Sequence, residues 1–416
     1  MAKTYDTYKD SGIAWIGEIP GEWEVKRLGN FYNQRNEKVS DKDFAPLSVT
    51  MKGIVPQLET AAKTNDGDNR KLVRKGDFAI NSRSDRRGSC GISDYDGSVS
   101  LINTVLCPKG EMDAGYYNWL FHTSMFADEY YKWGHGIVDD LWTTRWSEMK
   151  NIEVVNPPLS VQQSISSFLD TKCSEIDSLI SIQEEMISEL LAYKQSVITE
   201  AVTKGLDKKA KMKNSGVEWI GDIPEEWEVT RFKNVAKVKA NLVHPEDYLE
   251  MPQVAPDCIE KGSGKIIKYQ TVREANVISD NHLFYKGQIV YSKIRPTLNK
   301  VIIAPFDGLC CADMYPIETK ENLQFFLLQM LSSVFNEQVA VVVQDRVKMP
   351  KINKEELDQI IVICPPLPVQ QAIATYLDEK TSQIDSLIAL KQSKIESLKE
   401  YKKSIIYEYV TGKKRV

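Results

Sequence analysis

Three stretches combine residue types that could do chemistry, and each lacks a necessary member. Asn156-Pro157-Pro158 begins like a loop that holds a flipped base, but such a base needs an aromatic ring to stack on, and Leu159 stands in fourth place. The twin of this stretch, Pro365-Pro366, is preceded by Cys364, and no glycine-rich cofactor loop follows a strand elsewhere, so methyl transfer is not expected here. Gly262-Ser263-Gly264-Lys265 resembles the end of a phosphate-binding loop, yet Ile266 occupies the position of the hydroxyl that would hold magnesium, which leaves a turn. His122, His135, His244 and His282 fall in no metal-ligand or triad spacing. No nucleophile, metal site or general base is proposed by these residues.

What remains is binding. Sequence readout of DNA needs Arg or Lys for guanine and Asn or Gln for adenine, carried on exposed turns, with other cations on phosphates. The run Asn81-Ser82-Arg83-Ser84-Asp85-Arg86-Arg87 follows an expected strand and is dense in such donors. Its counterpart by position contains Ser292, Lys293, Arg295, Asn299 and Lys300. A second pair of candidates is Thr144 with Arg145 in the first half, and Gln344, Arg346 and Lys348 in the second. Arg70, Lys71, Arg74 and Lys75 form a further basic run, which can equally be a solvated face. The rings of Tyr130, Tyr131 and Trp133, and the tryptophans Trp15, Trp23, Trp219 and Trp227, are expected to pack in cores.

The net charge of −5 over 416 residues excludes a protein that coats nucleic acid by bulk charge, so any contact must be a local patch. Seven cysteines without a C-x-x-C pair are expected to be reduced thiols. No apolar run approaches the ~18 residues that cross a bilayer, and Met1 to Asp10 lacks a signal segment, so no membrane partner and a cytoplasmic location are expected.

The elements that must position the candidate loops are written twice. Ser11 to Asn30 (SGIAWIGEIPGEWEVKRLGN) recurs as Ser215 to Asn234 (SGVEWIGDIPEEWEVTRFKN), and Pro157-Pro158-Leu159-Ser160-Val161-Gln162-Gln163 recurs as Pro365-Pro366-Leu367-Pro368-Val369-Gln370-Gln371. Between these ends the halves diverge, apart from echoes such as Lys75-Gly76-Asp77 against Lys286-Gly287-Gln288 and Asp96-Gly97 against Asp307-Gly308. Each Pro-Pro opens a helix-forming run with no internal glycine. In the first run Leu169, Cys173, Ile176, Ile180, Ile187, Leu190, Val197 and Ala201 keep a 3-4 spacing broken by Gln183 and Lys194. The second places Leu377, Thr381, Ile384, Ile388, Ile395, Leu398, Ile405 and Tyr409 on the seam, with Lys391 and Lys402 at the two interruptions.

Matched apolar seams predict two long helices packed antiparallel as a coiled coil, related by a pseudo-twofold axis, with polar seam residues fixing register. About 40 helical residues make a rod of roughly 60 Å, which can act as a ruler between two domains. The expected fold class is α+β, with two mixed α/β domains in pseudo-twofold repeat separated by the helices. Its divisions are 1–155, a first recognition domain; 156–210, a first long helix; 211–363, a second recognition domain; and 364–416, a second long helix.

With paired W-I-G-x-I-P-x-x-W-E-V entries and P-P-L-x-x-Q-Q-x-I helix starts over nearly its whole length, the chain resembles the specificity subunits of type I restriction-modification systems. The resemblance implies a non-catalytic chain with two target recognition domains reading an asymmetric bipartite site on double-stranded DNA. It implies as partners two methyltransferase subunits and the restriction subunits, with S-adenosylmethionine, ATP and magnesium held by those partners and no cofactor in this chain. A related restriction system with a fused methyltransferase-nuclease partner, and a coiled-coil scaffold that does not bind DNA, are the competing expectations.

Overall fold

The computed structural model describes residues 4–58, 66–136 and 142–416. The chain gathers into two compact units, residues 1–183 with 393–416 and residues 184–392. Each unit contains one divergent segment and half of each long helix.

In the first unit the repeated entry folds as a small hairpin, Tyr8–Asp10 antiparallel to Glu18–Pro20. Its turn closes through the Ser11 N–H to the Gly17 carbonyl at 3.1 Å, with Gly17 at φ 72°, a conformation that glycine adopts without Cβ strain. Trp23 then enters the core fully buried. The next strand, Glu24–Arg27, pairs with Glu153–Asn156, setting Val25 opposite Val155. That ladder joins the two ends of the repeat: Trp-Glu-Val lies beside the strand that delivers the chain to Pro157-Pro158. Between them stands a four-stranded antiparallel sheet in the order Cys90–Ile92, Phe78–Asn81, Asn103–Pro108, Tyr32–Arg35. A smaller sheet orders Gly97–Val99, Arg70–Val73 and Lys38–Val39. Helices Ala114–Phe121 and Ser124–Lys132 cover the larger sheet with a ring cluster, in which Phe121 lies 4.9 Å from Phe78 and 4.5 Å from Phe126.

The second unit repeats this plan although its middle sequence differs. Met212–Asn214 pairs with Asp222–Pro224, and Glu228–Arg231 with Ile361–Cys364. The four-stranded sheet orders Ala236–Val238, Met314–Thr319, Ile289–Ser292 and Val301–Ile303. A second sheet orders Leu242–Val243, Asn281–Phe284, Gly308–Cys310 and Gln253–Val254, the last pair parallel. Helices Leu323–Leu331 and Ser333–Val343 take the places of the earlier two. The echoes in the divergent middle are one turn written twice. Asp96 accepts the Lys75 N–H at 2.8 Å and Asp307 accepts that of Lys286 at 2.7 Å, while Gly76 and Gly287 take φ of 89° and 86°.

The expected long helices span Leu159–Lys204 and Leu367–Val410, 46 and 44 residues. In the first unit the start of one packs on the end of the other: Phe168 and Tyr409 rings lie 4.5 Å apart, and Lys402 Nζ meets Asp177 at 2.7 Å. In the second unit Lys194 Nζ meets Asp385 at 2.6 Å. Both contacts fit one antiparallel register. Leu169, Cys173, Ile176, Ala201, Leu377, Ile384, Ile395, Leu398, Ile405 and Tyr409 are buried along the expected seam. Two of the polar interruptions, Lys194 and Lys402, are thus the cations of equivalent ion pairs.

Two tryptophans depart from expectation, Trp133, which is 37% exposed, and Trp219. Trp23 and Trp227 are buried and Trp15 packs edge-on against Phe126, but Trp219 is 52% exposed. All seven cysteines are free thiols, and burial pushes the Cys90 thiol up to about 12, far from a reactive thiolate. Among the described residues no single helix is long and apolar enough to cross a membrane.

Candidate nucleic-acid interface

In the first unit the strand Phe78–Asn81 carries the chain out of the sheet into the basic loop, which turns through a short 3-10 helix at Ser84–Arg86. The second candidate segment comes to it. Arg83 and Thr143 form an antiparallel bridge, the Ser84 N–H donates to the Trp142 carbonyl at 3.1 Å, and the Thr144 N–H to the Ser82 carbonyl at 3.0 Å. Two stretches some sixty residues apart in sequence therefore share one surface. Arg86 and Arg145 are exposed on it, with Arg83 partly so. Arg87 stacks 5.6 Å over the Tyr131 ring and pairs with Asp128.

The second unit builds the same junction from different residues. Ile294 and Lys351 form the bridge, the Arg295 N–H donates to the Pro350 carbonyl at 2.7 Å, and the Ile352 N–H to the Lys293 carbonyl at 3.0 Å. Arg295 is exposed and left-handed at φ 45°, a conformation that a residue with a Cβ resists by about 1–2 kcal/mol. Strain of this kind persists where surrounding bonds over-determine it. Lys293 lies 5.1 Å over the Tyr315 ring, and Gln344 and Lys348 are exposed.

Several candidates turn inward or are held by neighbouring groups. Asn81 is buried, its Oδ1 accepting the Arg83 N–H at 3.1 Å; Ser82 donates to the Ile102 carbonyl; Thr144 is fully buried and donates to the Tyr130 carbonyl at 2.9 Å. Ser292 is buried and donates to the Ile294 carbonyl at 3.0 Å, Asn299 donates to the Met330 carbonyl at 3.0 Å, and Lys300 Nζ to the Pro256 carbonyl at 2.5 Å. Arg346 is held by Glu356 and the Lys351 carbonyl. These side chains shape the loops, because an amide or hydroxyl near a turn satisfies backbone groups first. The basic run is also structural in part: Arg70 is buried with Nε on Ser98 Oγ at 2.8 Å, and Lys71 Nζ meets the Asn103 carbonyl at 2.7 Å, burial lowering its pKa.

Two positioning residues escaped the sequence reading. Gln162 and Gln370 are buried, and each is a clasp. Gln162 Oε1 accepts the Asp113 N–H at 2.9 Å while its Nε2 donates to the Pro157 carbonyl at 2.8 Å. Gln370 repeats both bonds at 2.8 Å, to Asn322 N–H and Pro365 O. Asp113 and Asn322 are the N-caps of the first helix in each divergent segment, so the long helix start, the Pro-Pro and the divergent segment are fastened together. The recurrence of Gln at one offset from Pro-Pro was the available signal.

Gly262–Lys265 is a turn, as expected, and Lys265 Nζ reaches the Asp385 carboxylate at 2.6 Å, completing a triad with Lys194. His122 is mostly buried, which lowers its pKa, and its Nδ1 lies 2.7 Å from the Asn118 carbonyl. Among the described residues no three His, Cys, Asp or Glu side chains gather as a metal site requires.

Comparison with known proteins agrees with this arrangement. Residues 224–400 match the family model described as the type I restriction modification DNA specificity domain. The type I restriction enzyme EcoDI specificity subunit of Escherichia coli is 35% identical over 258 residues, an aligned stretch that is 58% of each chain. A putative type I restriction enzyme MjaX specificity subunit of Methanocaldococcus jannaschii is 24% identical over 96% of each chain. A solved structure from work on assembly and conformational transition of a type I restriction-modification system shares the fold, with a TM-score of 0.71 at 13% identity over 94% of this chain and 98% of that one. With the duplicated frame, the antiparallel helices and these relatives together, the chain is similar in sequence to type I restriction-modification specificity subunits, carries their specificity domain over residues 224–400, and shares the fold of the solved structure.

Proposed function

We propose that each unit reads one part of a bipartite DNA site, and that this chain contributes recognition while its partners contribute chemistry. The observation that carries the reading is the junction built twice: in each unit two basic segments distant in sequence are stitched by main-chain bonds into one surface. Arg83, Arg86 and Arg145 serve the first half-site, and Lys293, Arg295, Gln344 and Lys348 the second. A bidentate arginine on guanine contributes about 1–3 kcal/mol of discrimination, while neighbouring cations hold register on phosphates.

The helical pair sets the spacing between half-sites and docks two methyltransferase subunits, with restriction subunits joining them in the cytoplasm. Three exposed apolar residues of the first long helix have exposed equivalents in the second, Leu179 with Leu387, Ile182 with Leu390 and Tyr193 with Tyr401. A docking surface present twice suits two copies of one partner. S-adenosylmethionine, ATP and magnesium belong to those partners in this reading.

Sequencing of methylated adenines in cells carrying Arg83→Ala or Arg295→Ala tests the assignment. Each variant is expected to relax a different half of the methylated motif and leave the other intact. Both halves changing together, or neither changing, would overturn it.

A further inference from the structure

The helix Ser333–Val343 of the second unit runs into a loop whose tip combines exposure with rigidity. Val347 is 95% exposed and Met349 56%, so two large apolar side chains stand in water two residues apart. Single exposed apolar residues are ordinary on soluble proteins. This pair differs because its base is pinned. Arg346 bonds Glu356 through Nη1 at 3.1 Å and also reaches the Lys351 carbonyl, and Lys351 Nζ meets Asp313 at 2.7 Å. Met349 is left-handed at φ 48°, and the next residue, Pro350, accepts the Arg295 N–H at 2.7 Å. The tip is thus bonded to the strained loop that presents Arg295.

Charge identifies the occupant. Lys348 lies between the two apolar residues and Arg295 adjoins them, and neither cation has an ion-pair partner among the described residues. An apolar tip flanked by unpaired cations fits a polyanion that offers an apolar group, and the major groove offers one, the C5-methyl of thymine.

We propose that Val347 and Met349 form an apolar reading tip that packs on thymine methyl groups in the half-site recognised by the second unit. The inference rests on the DNA-reading function proposed above and names a base that this unit selects. Arginine and lysine would position the tip, and removal of a methyl from water would supply the discrimination.

The test uses the complex with its methyltransferase partner, wild type and Val347→Ala, titrated with duplexes carrying the motif mapped by methylated-adenine sequencing. Each thymine of the half-site that Arg295→Ala relaxes is replaced in turn by uracil. At least one replacement is expected to weaken wild-type binding about fourfold, the value of one buried methyl, and to leave binding by Val347→Ala unchanged. Replacements that weaken neither protein, or both equally, overturn the tip, as does a half-site without thymine. Wild-type complex that shows no sequence preference at all overturns the DNA-reading function itself.

Discussion

The two halves close the same helix seam in different ways. Asp177 with Lys402 in the first unit and Asp385 with Lys194 in the second occupy equivalent positions of the repeat, yet the first Asp is 59% exposed and the second 27%. The difference comes from Lys265, which the Gly262–Lys265 turn brings onto Asp385 and which has no counterpart on Asp177 among the described residues. A repeated ion pair sets helix register in both units. Among the described residues, only in the second does it also tie a loop of the divergent segment to the helix.

The largest effect that would sharpen this comparison lies in what the halves share. Gln162→Leu and Gln370→Leu each strand a part-buried N–H and a buried carbonyl, so each should cost about 2–4 kcal/mol in a denaturant titration of the whole chain. A loss confined to one variant would mean that the two clasps are not equivalent.

The seam itself should respond unequally. Asp177→Asn, at an exposed pair, should cost less than about 1 kcal/mol. Asp385→Asn removes the anion from two lysines in a half-enclosed site and should cost about 2 kcal/mol. Its pH dependence has a definite sign. Burial alone would raise the Asp385 pKa, but the hydrogen bonds and charges of Lys194 and Lys265 outweigh it and hold the carboxyl below its ordinary value. The stabilisation is therefore complete above the unfolded value near ~4 and is lost as pH falls through the lower folded value. The gap between wild type and Asp385→Asn should narrow below that point; a constant gap would break the explanation.

The smallest effect separates folding from reading. Arg295→Gly relieves a left-handed backbone and should raise stability by about 0.5–1 kcal/mol while relaxing one half-site. Thermal unfolding and methylated-adenine mapping of the same variant check the two parts.

Much of the frame was legible because it is periodic. The 3-4 spacing of apolar residues placed both long helices, and the matched lysines at 194 and 402 marked where the seam is polar. Their aspartate partners were not legible, since antiparallel pairing joins residues about two hundred positions apart. The candidate loops do meet their second segments in space, but which of their side chains face outward was only partly legible. Asn81, Thr144 and Asn299 have the side chains that read bases and also those that satisfy turns, and only burial tells the two uses apart. Arg70 misled for a related reason, its charge being spent on Ser98 inside a sheet.

The Gln162 and Gln370 clasps have a consequence for how such a chain can change. Both seize peptide groups, an N–H and a C=O, and the Trp-Glu-Val ladders do the same. Every amino acid except proline offers those groups, so these bonds ask little of the side chains they hold, although in the second unit Gln370 also reaches the Glu321 carboxylate. On the proposed function, the segment between the repeated ends could be exchanged with these main-chain bonds intact.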